Sequence, residues 1–171
     1  IIAESKNGLK GAVIKFPSVS VGATENALLA AYGAKGKTVL KNCAIEPEVK
    51  DLILFLKKLG GKIKISGRTF TIKETKIKSL STNHKIIFDR IEAGTYMIAS
   101  ALIGKRVIID KIDPNIIKSE INVLKKMGVK IKKNKRSVIL QKNTKLKKMN
   151  VVAKPYPGFP ADRQAQLMVL M

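Results

Sequence analysis

The sequence predicts an α/β protein built from a repeated strand, helix, strand, helix, strand, strand (βαβαββ) unit of about seventy residues. Three observations carry that prediction. Lys57-Lys58-Leu59-Gly60-Gly61-Lys62-Ile63-Lys64 returns as Lys125-Lys126-Met127-Gly128-Val129-Lys130-Ile131-Lys132, an offset of 68 residues (125 minus 57), and Gly36-Lys37 returns at the same offset as Gly104-Lys105. The two helices of each copy differ in kind. Val49, Leu52, Ile53, Leu56 and Leu59 make one apolar stripe, as do Ile117, Ile121, Leu124 and Met127, whereas Ala27-Leu28-Leu29-Ala30-Ala31 and Met97-Ile98-Ala99-Ser100-Ala101-Leu102 are small and apolar on nearly every side. Finally, the alternation in Lys62-Ile63-Lys64-Ile65 and Val129-Lys130-Ile131-Lys132 turns one sheet face to water. Buried helices with sheets outside them invert the usual α/β barrel.

Taken in order, the first copy predicts a strand over 12–16, a helix from about 22 to 34, a strand over 37–42, a helix from 47 to 59, and strands near 62–66 and 69–73. The second predicts strand 85–88, helix 91–103, strand 106–110, helix 114–127, and strands 129–132 and 137–141. A third opens with a strand over 151–154 and the helix after Asp162. Pro47 and Pro114 suit first helical positions, and Asp113 suits a cap. The polar run from Glu74 to His84 is the expected crossing between two domains. Residues 1–84 then form the last unit of one domain, and 85–171 the first unit of a second domain with the start of the next. The opening Ile1-Ile2-Ala3-Glu4 and a last helix that stops mid-pattern at Met171 mark the chain as a piece, incomplete at both ends.

Composition narrows the partners. A hydrophobic content of 45% supports a real core, so disorder is not expected. The formal charge of +22 is carried mostly by lysine and spread through every segment. Such a surface attracts phosphates of any origin, and with no Trp and 5% aromatic residues there is no row of stacking platforms for single strands. No nucleic-acid partner is expected, although a basic nucleic-acid-binding module built from the same repeat is the competing reading from another class. A single cysteine, Cys43, excludes a disulfide framework within the chain and reads as a small core residue. No apolar run approaches the roughly 20 residues of a membrane helix, and no signal-peptide pattern opens the chain. The expectation is a soluble, cytoplasmic protein without a membrane partner.

Chemistry concentrates at helix starts. Pro17-Ser18-Val19-Ser20-Val21-Gly22-Ala23-Thr24-Glu25-Asn26 joins a strand to an apolar helix: Ser20 can cap, Gly22 lets a ligand approach the backbone, and free amides there favour an anion such as a diphosphate. An ordinary Ser-capped helix has the same sequence. The equivalent places hold Asp89-Arg90-Ile91-Glu92-Ala93-Gly94-Thr95 and, after the stiff loop Pro155-Tyr156-Pro157-Gly158-Phe159-Pro160, Ala161-Asp162-Arg163. Arg90 and Glu92 read either as part of a converging site or as an ion pair between domains. Asp162 reads either as an N-cap or as a working acid. His84, with no metal partner at a recognisable spacing, reads as an exposed structural residue, and neither a metal nor a cofactor is expected.

Pro-Ser-Val-Ser-Val-Gly-Ala-Thr-Glu-Asn, Asp-Arg-Ile-Glu-Ala-Gly-Thr and Tyr-Pro-Gly-Phe-Pro-Ala-Asp-Arg-Gln-Ala-Gln, in this order, closely resemble the UDP-N-acetylglucosamine 1-carboxyvinyltransferases of the enolpyruvyl transferase family, over essentially all 171 residues. The resemblance implies transfer of the enolpyruvyl group of phosphoenolpyruvate to the 3-hydroxyl of UDP-N-acetylglucosamine with release of phosphate, the first committed step of peptidoglycan synthesis. It implies a pair of inside-out α/β barrel domains, each of three units, with the site in the cleft between them. Carried over by position, it puts Ser18, Val19, Ser20, Val21 and Gly22 on the sugar nucleotide, and Asp162 at its 3-hydroxyl as base or orienting carboxylate.

The chain departs from that family at Ser18, where Lys is usual, and at Ala161, where Thr is usual. The family's mobile loop with its catalytic cysteine, its amino-terminal Lys-Asn pair and several phosphoenolpyruvate-binding arginines have no counterpart here, and Cys43 is not that cysteine. Motif order puts the loop before Ile1 and the arginines after Met171, so these 171 residues alone are expected to be inactive. The shikimate 3-phosphate enolpyruvyl transferase is the nearest alternative, and the Asp-Arg-Ile-Glu and Tyr-Pro-Gly-Phe-Pro segments argue against it.

Overall fold

Leu40 and Phe70 lie opposite each other on neighbouring strands, and neither is accessible to solvent. They anchor the first of two compact units, Ile1–Ile87 and Phe88–Met171, in a computed structural model that describes residues 4–75, 82–103, 105–141 and 145–171. In the first unit the elements run β1 (Val13–Lys15), α1 (Val21–Tyr32), β2 (Lys37–Lys41), α2 (Pro47–Lys58), β3 (Lys62–Ser66) and β4 (Thr69–Lys73). The sheet order is β1-β2-β4-β3, with β1 parallel to β2 and the other pairs antiparallel. Lys37, Lys73 and Lys62 stand abreast on β2, β4 and β3, each exposed. The opposite face sends Leu40, Phe70, Ile72 and Ile63 inward against Leu28 of α1 and Val49, Ile53 and Leu56 of α2.

The second unit holds α3 (Arg90–Ile103), β5 (Val107–Asp110), α4 (Lys118–Lys126), β6 (Ile131–Lys133), β7 (Ser137–Leu140), a 3-10 turn over Ala161–Arg163 and α5 (Gln164–Leu170). Its antiparallel sheet has the order β5-β7-β6. Met97 and Ala101 of α3 meet Ile117, Ile121, Leu124 and Met127 beneath Val138 and Leu140 in one core, closed by Phe159, Leu167 and Leu170.

Both units end their amphipathic helix in the same way. Gly60 (φ 98°) and Gly128 (φ 97°) take the left-handed conformation, and the next amides, Gly61 and Val129, each reach back 2.9 Å to Leu56 O and Leu124 O. This is a Schellman stop, which favours glycine because φ is positive. The chain returns at Cys43 N to Arg68 O, 2.9 Å, and likewise at Ile112 N to Arg136 O, 3.1 Å.

The structure departs from the sequence expectation in several places. Residues 85–88 form no strand, and β5 stays an edge of its sheet. The chain just before them is fastened to α2, where Lys58 Nζ donates to Asn83 O at 2.9 Å and His84 Nε2 lies 3.1 Å from Asp51 Oδ2. The strand expected over 151–154 shrinks to one bridge between Ala153 and Phe159, because Pro155 to Pro160 curl into a tight turn closed by Gly158 N to Pro155 O at 2.9 Å. The helix expected from Pro114 begins only at Lys118. Nor are α1 and α3 buried all round: Leu29 is 53% exposed and Ile103 65%, since each unit's sheet covers one side of its helix. Much of the expected crossing, 76–81, lies outside the described residues.

Candidate functional site

In the first unit, the loop from Pro17 to Ser20 hangs between two fastenings. On one side Phe16 N donates to Lys41 O at 3.0 Å, and Asn42, held at φ 61°, donates from Nδ2 to Phe16 O at 3.0 Å. On the other, the buried Thr24 hydroxyl donates to Ser20 O at 2.7 Å and accepts Ala44 N at 2.9 Å. Ser20 caps α1, its Oγ accepting Ala23 N at 3.3 Å.

The sequence expectation of a cap is therefore met, and the amides of Val21 and Gly22 are left without helical acceptors, as a first turn must leave them. Ser18 and Gly22 are exposed, Val19, Ser20 and Val21 half-buried. A Cβ on Gly22 would meet nothing within 4 Å, so open space lies before this backbone. One turn further on, burial raises the Glu25 carboxyl above its usual value, and the Glu48 and Glu46 carboxylates raise it further.

In the second unit, Asp89 caps α3, accepting Ile91 N at 2.7 Å and Glu92 N at 3.1 Å on Oδ1. Arg90, buried, places its guanidinium carbon 5.9 Å from the centre of the Tyr156 ring. This tie joins α3 to the proline-rich loop within one unit. Asp162 sits exposed in the middle of the 3-10 turn. Neither that turn, capped at Pro160, nor α5, capped at Arg163, receives a side-chain capping bond, so the cap reading of Asp162 is not what the structure shows. An exposed carboxylate without a capping duty is free to accept a proton from a hydroxyl.

Next to it, Arg163 has no exposure at all. Its Nη1 stands 3.2 Å from Glu120 Oε1, an ion pair by distance whose alignment is too poor for a hydrogen bond, and Nε and Nη2 also lack partners. Burial lowers the affinity of this guanidinium for its proton, opposed first by the Glu120 carboxylate. The Ser119 hydroxyl donates to Glu120 Oε2. Gly94 makes room for all this, since a Cβ there would occupy the space of the guanidinium.

His84 is not exposed as expected: its side chain is 10% accessible, pairs with Asp51, and leans on Phe55 with ring centres 5.4 Å apart. It helps line a mostly apolar cavity of about 340 Å³ with Leu52, Phe55 and Ile86, which none of Ser18 to Gly22 enters. Cys43 is fully buried, and burial pushes its thiol up to about 11. Among the described residues no group of three or more His, Cys, Asp or Glu is arranged to hold a metal, and no helix is long and apolar enough to cross a membrane.

Sequence reasoning missed the Thr24 bridge and the Arg163, Glu120 and Gly94 cluster. The one signal for the latter was a glycine inside an apolar helix, which marks a close approach.

Comparison with known proteins bears on this geometry. A family model described as EPSP synthase (3-phosphoshikimate 1-carboxyvinyltransferase) matches residues 1–171. Curated relatives named UDP-N-acetylglucosamine 1-carboxyvinyltransferase include that of Pelagibacter ubique, 51% identical over 170 residues, covering 99% of this chain and 40% of the relative. That of Endomicrobium trichonymphae is 48% identical over 167 residues, covering 98% of this chain and 40% of the relative. The chain thus spans about two fifths of the length of the curated relatives it matches. Among solved structures, the enolpyruvyl transferase NikO from Streptomyces tendae aligns with a TM-score of 0.77 at 27% identity, over 87% of this chain and 36% of that one.

Proposed function

Because the chain belongs to the EPSP synthase (3-phosphoshikimate 1-carboxyvinyltransferase) family, we propose that it is part of an enzyme that transfers the enolpyruvyl group of phosphoenolpyruvate to the 3-hydroxyl of UDP-N-acetylglucosamine, releasing phosphate. The observation that carries this reading is the 51% identity, over nearly the whole chain, to a protein named for that reaction. The shikimate alternative is less favoured: an EPSP synthase structure from Acinetobacter baumannii is 22% identical and shares the fold. The activity serves peptidoglycan synthesis in the cytoplasm.

In this reading, residues 1–84 are the last unit of one inside-out α/β barrel domain, and 85–171 open a second. The uncovered apolar faces of α1 and α3 support that arrangement, because helices apolar on several sides need neighbours on several sides. Ser18, Val19, Ser20, Val21 and Gly22 hold the sugar nucleotide, with the unengaged first-turn amides of α1 facing its anionic groups. Asp162 takes the proton of the 3-hydroxyl as that oxygen attacks, which a weak nucleophile needs. Ser18, exposed at the head of this loop, binds through its hydroxyl.

The test is phosphate release by the full-length gene product given phosphoenolpyruvate with UDP-N-acetylglucosamine or with shikimate 3-phosphate. Turnover with the sugar nucleotide alone is expected. Turnover only with shikimate 3-phosphate would overturn the reading, and a salt-sensitive affinity for RNA with no turnover would favour the nucleic-acid module.

A further inference from the structure

Arg163 heads the wholly buried side chains by size, and it directly follows Asp162, which is exposed. A 3-10 turn has about three residues per turn, so neighbours point roughly 120° apart and anchoring one aims the other. The anchor here is unusual. The guanidinium crosses α3 at Gly94, a position without a side chain, and meets Glu120 of α4 at 3.2 Å, so one side chain ties the turn to two helices.

The turn has further fastenings at Arg163 N to Pro160 O, 3.2 Å, and from α5 to α3 at Gln166 Nε2 to Thr95 Oγ1, 3.4 Å. All three guanidinium nitrogens lack an aligned hydrogen bond, which is a poor way to gain stability. A well-packed apolar pair in place of a buried ion pair is often neutral or better. Stability therefore does not account for an arginine here.

We infer that Arg163 is a positioning residue for Asp162: by seating its guanidinium over Gly94 against Glu120 it fixes the 3-10 turn so that the neighbouring carboxylate meets the sugar hydroxyl. The inference rests on the reading of Asp162 as the group that takes the hydroxyl proton. Arg163 touches no substrate. Its contribution is to orientation, and misplacement by about 1 Å can cost on the order of a hundredfold in rate.

The experiment uses the full-length enzyme and compares wild type, the double variant Arg163→Met/Glu120→Leu, Arg163→Lys and Asp162→Asn, with melting temperature, kcat and KM measured for each. The double variant is expected to melt at or above wild type and to keep KM for the sugar nucleotide, while kcat falls about 10- to 100-fold. A kcat that stays at the wild-type level, or a loss confined to KM, overturns the inference.

Should the double variant fail to fold, Arg163→Lys decides in its place. It keeps the charge without the planar fork, so a drop in kcat at constant KM is expected, and wild-type kcat overturns the inference. Asp162→Asn separates the two claims. If it turns over like wild type, the reading of Asp162 fails and the inference with it. If it is inactive while the double variant is fully active, the inference alone fails.

Discussion

The Thr24 hydroxyl accepts the amide of Ala44 at 2.9 Å while donating to the carbonyl of Ser20 at 2.7 Å. One side chain thereby couples the start of α1 to the loop that follows β2. Thr24→Val keeps the shape and loses both bonds, leaving the buried Ala44 amide unpaired at a cost of about 1–3 kcal/mol. Chemical denaturation should register that loss. Sugar-nucleotide affinity in the full-length enzyme should fall with it and be largely kept in Thr24→Ser.

Asp162 caps neither the 3-10 turn nor α5. Asp162→Asn should therefore change stability by no more than about 0.5 kcal/mol, the usual range for exposed sites. In the full-length enzyme kcat should fall by about 10²-fold or more, the usual contribution of a positioned acid or base. A large drop in melting temperature with turnover intact would show a structural role instead.

Glu25 has a raised carboxyl pKa because burial and then Glu48 and Glu46 disfavour its charge. A raised acid binds its proton more tightly in the folded state. Its contribution to stability is thus fully present below its unfolded value near 4.5 and is lost as pH climbs through the folded value. Glu25→Gln should raise the melting temperature at pH 7 and lose that advantage at pH 4, as a series of thermal melts across this range would record.

The Cys43 thiol, pushed up to about 11 in the core, holds only about one thiolate in a thousand at pH 8. A thiol reagent should leave it unmodified in the native chain and react fully after unfolding, and Cys43→Ala should leave kcat of the full-length enzyme unchanged. Rapid labelling of native protein would contradict the buried placement.

The two helix stops were readable because their marks are local. Gly60 and Gly128 stop their helices with positive φ, a conformation written into the residue itself, and the stripes of α2 and α4 follow from 3.6-residue spacing. Ser20 announced its cap in the same way. The strand expected over 85–88 failed for a non-local reason: Lys58 and Asp51, on an earlier helix, hold the chain just before it. Arg163 was illegible because nothing in its neighbourhood along the chain shows that Gly94 and Glu120, far away in sequence, leave a slot for a guanidinium. Its charge alone reads as surface, like that of the chain's many lysines.

Those lysines have an organisation of their own. Lys37, Lys73 and Lys62 are abreast on three adjacent strands, and Lys64 extends the charge along β3, an edge of the first unit's sheet. Like charges opposite one another oppose pairing, so added salt firms this sheet rather than loosening it. The same repulsion meets any second chain that approaches the β3 edge as an extra strand, and a basic edge of this kind guards against fibrous association.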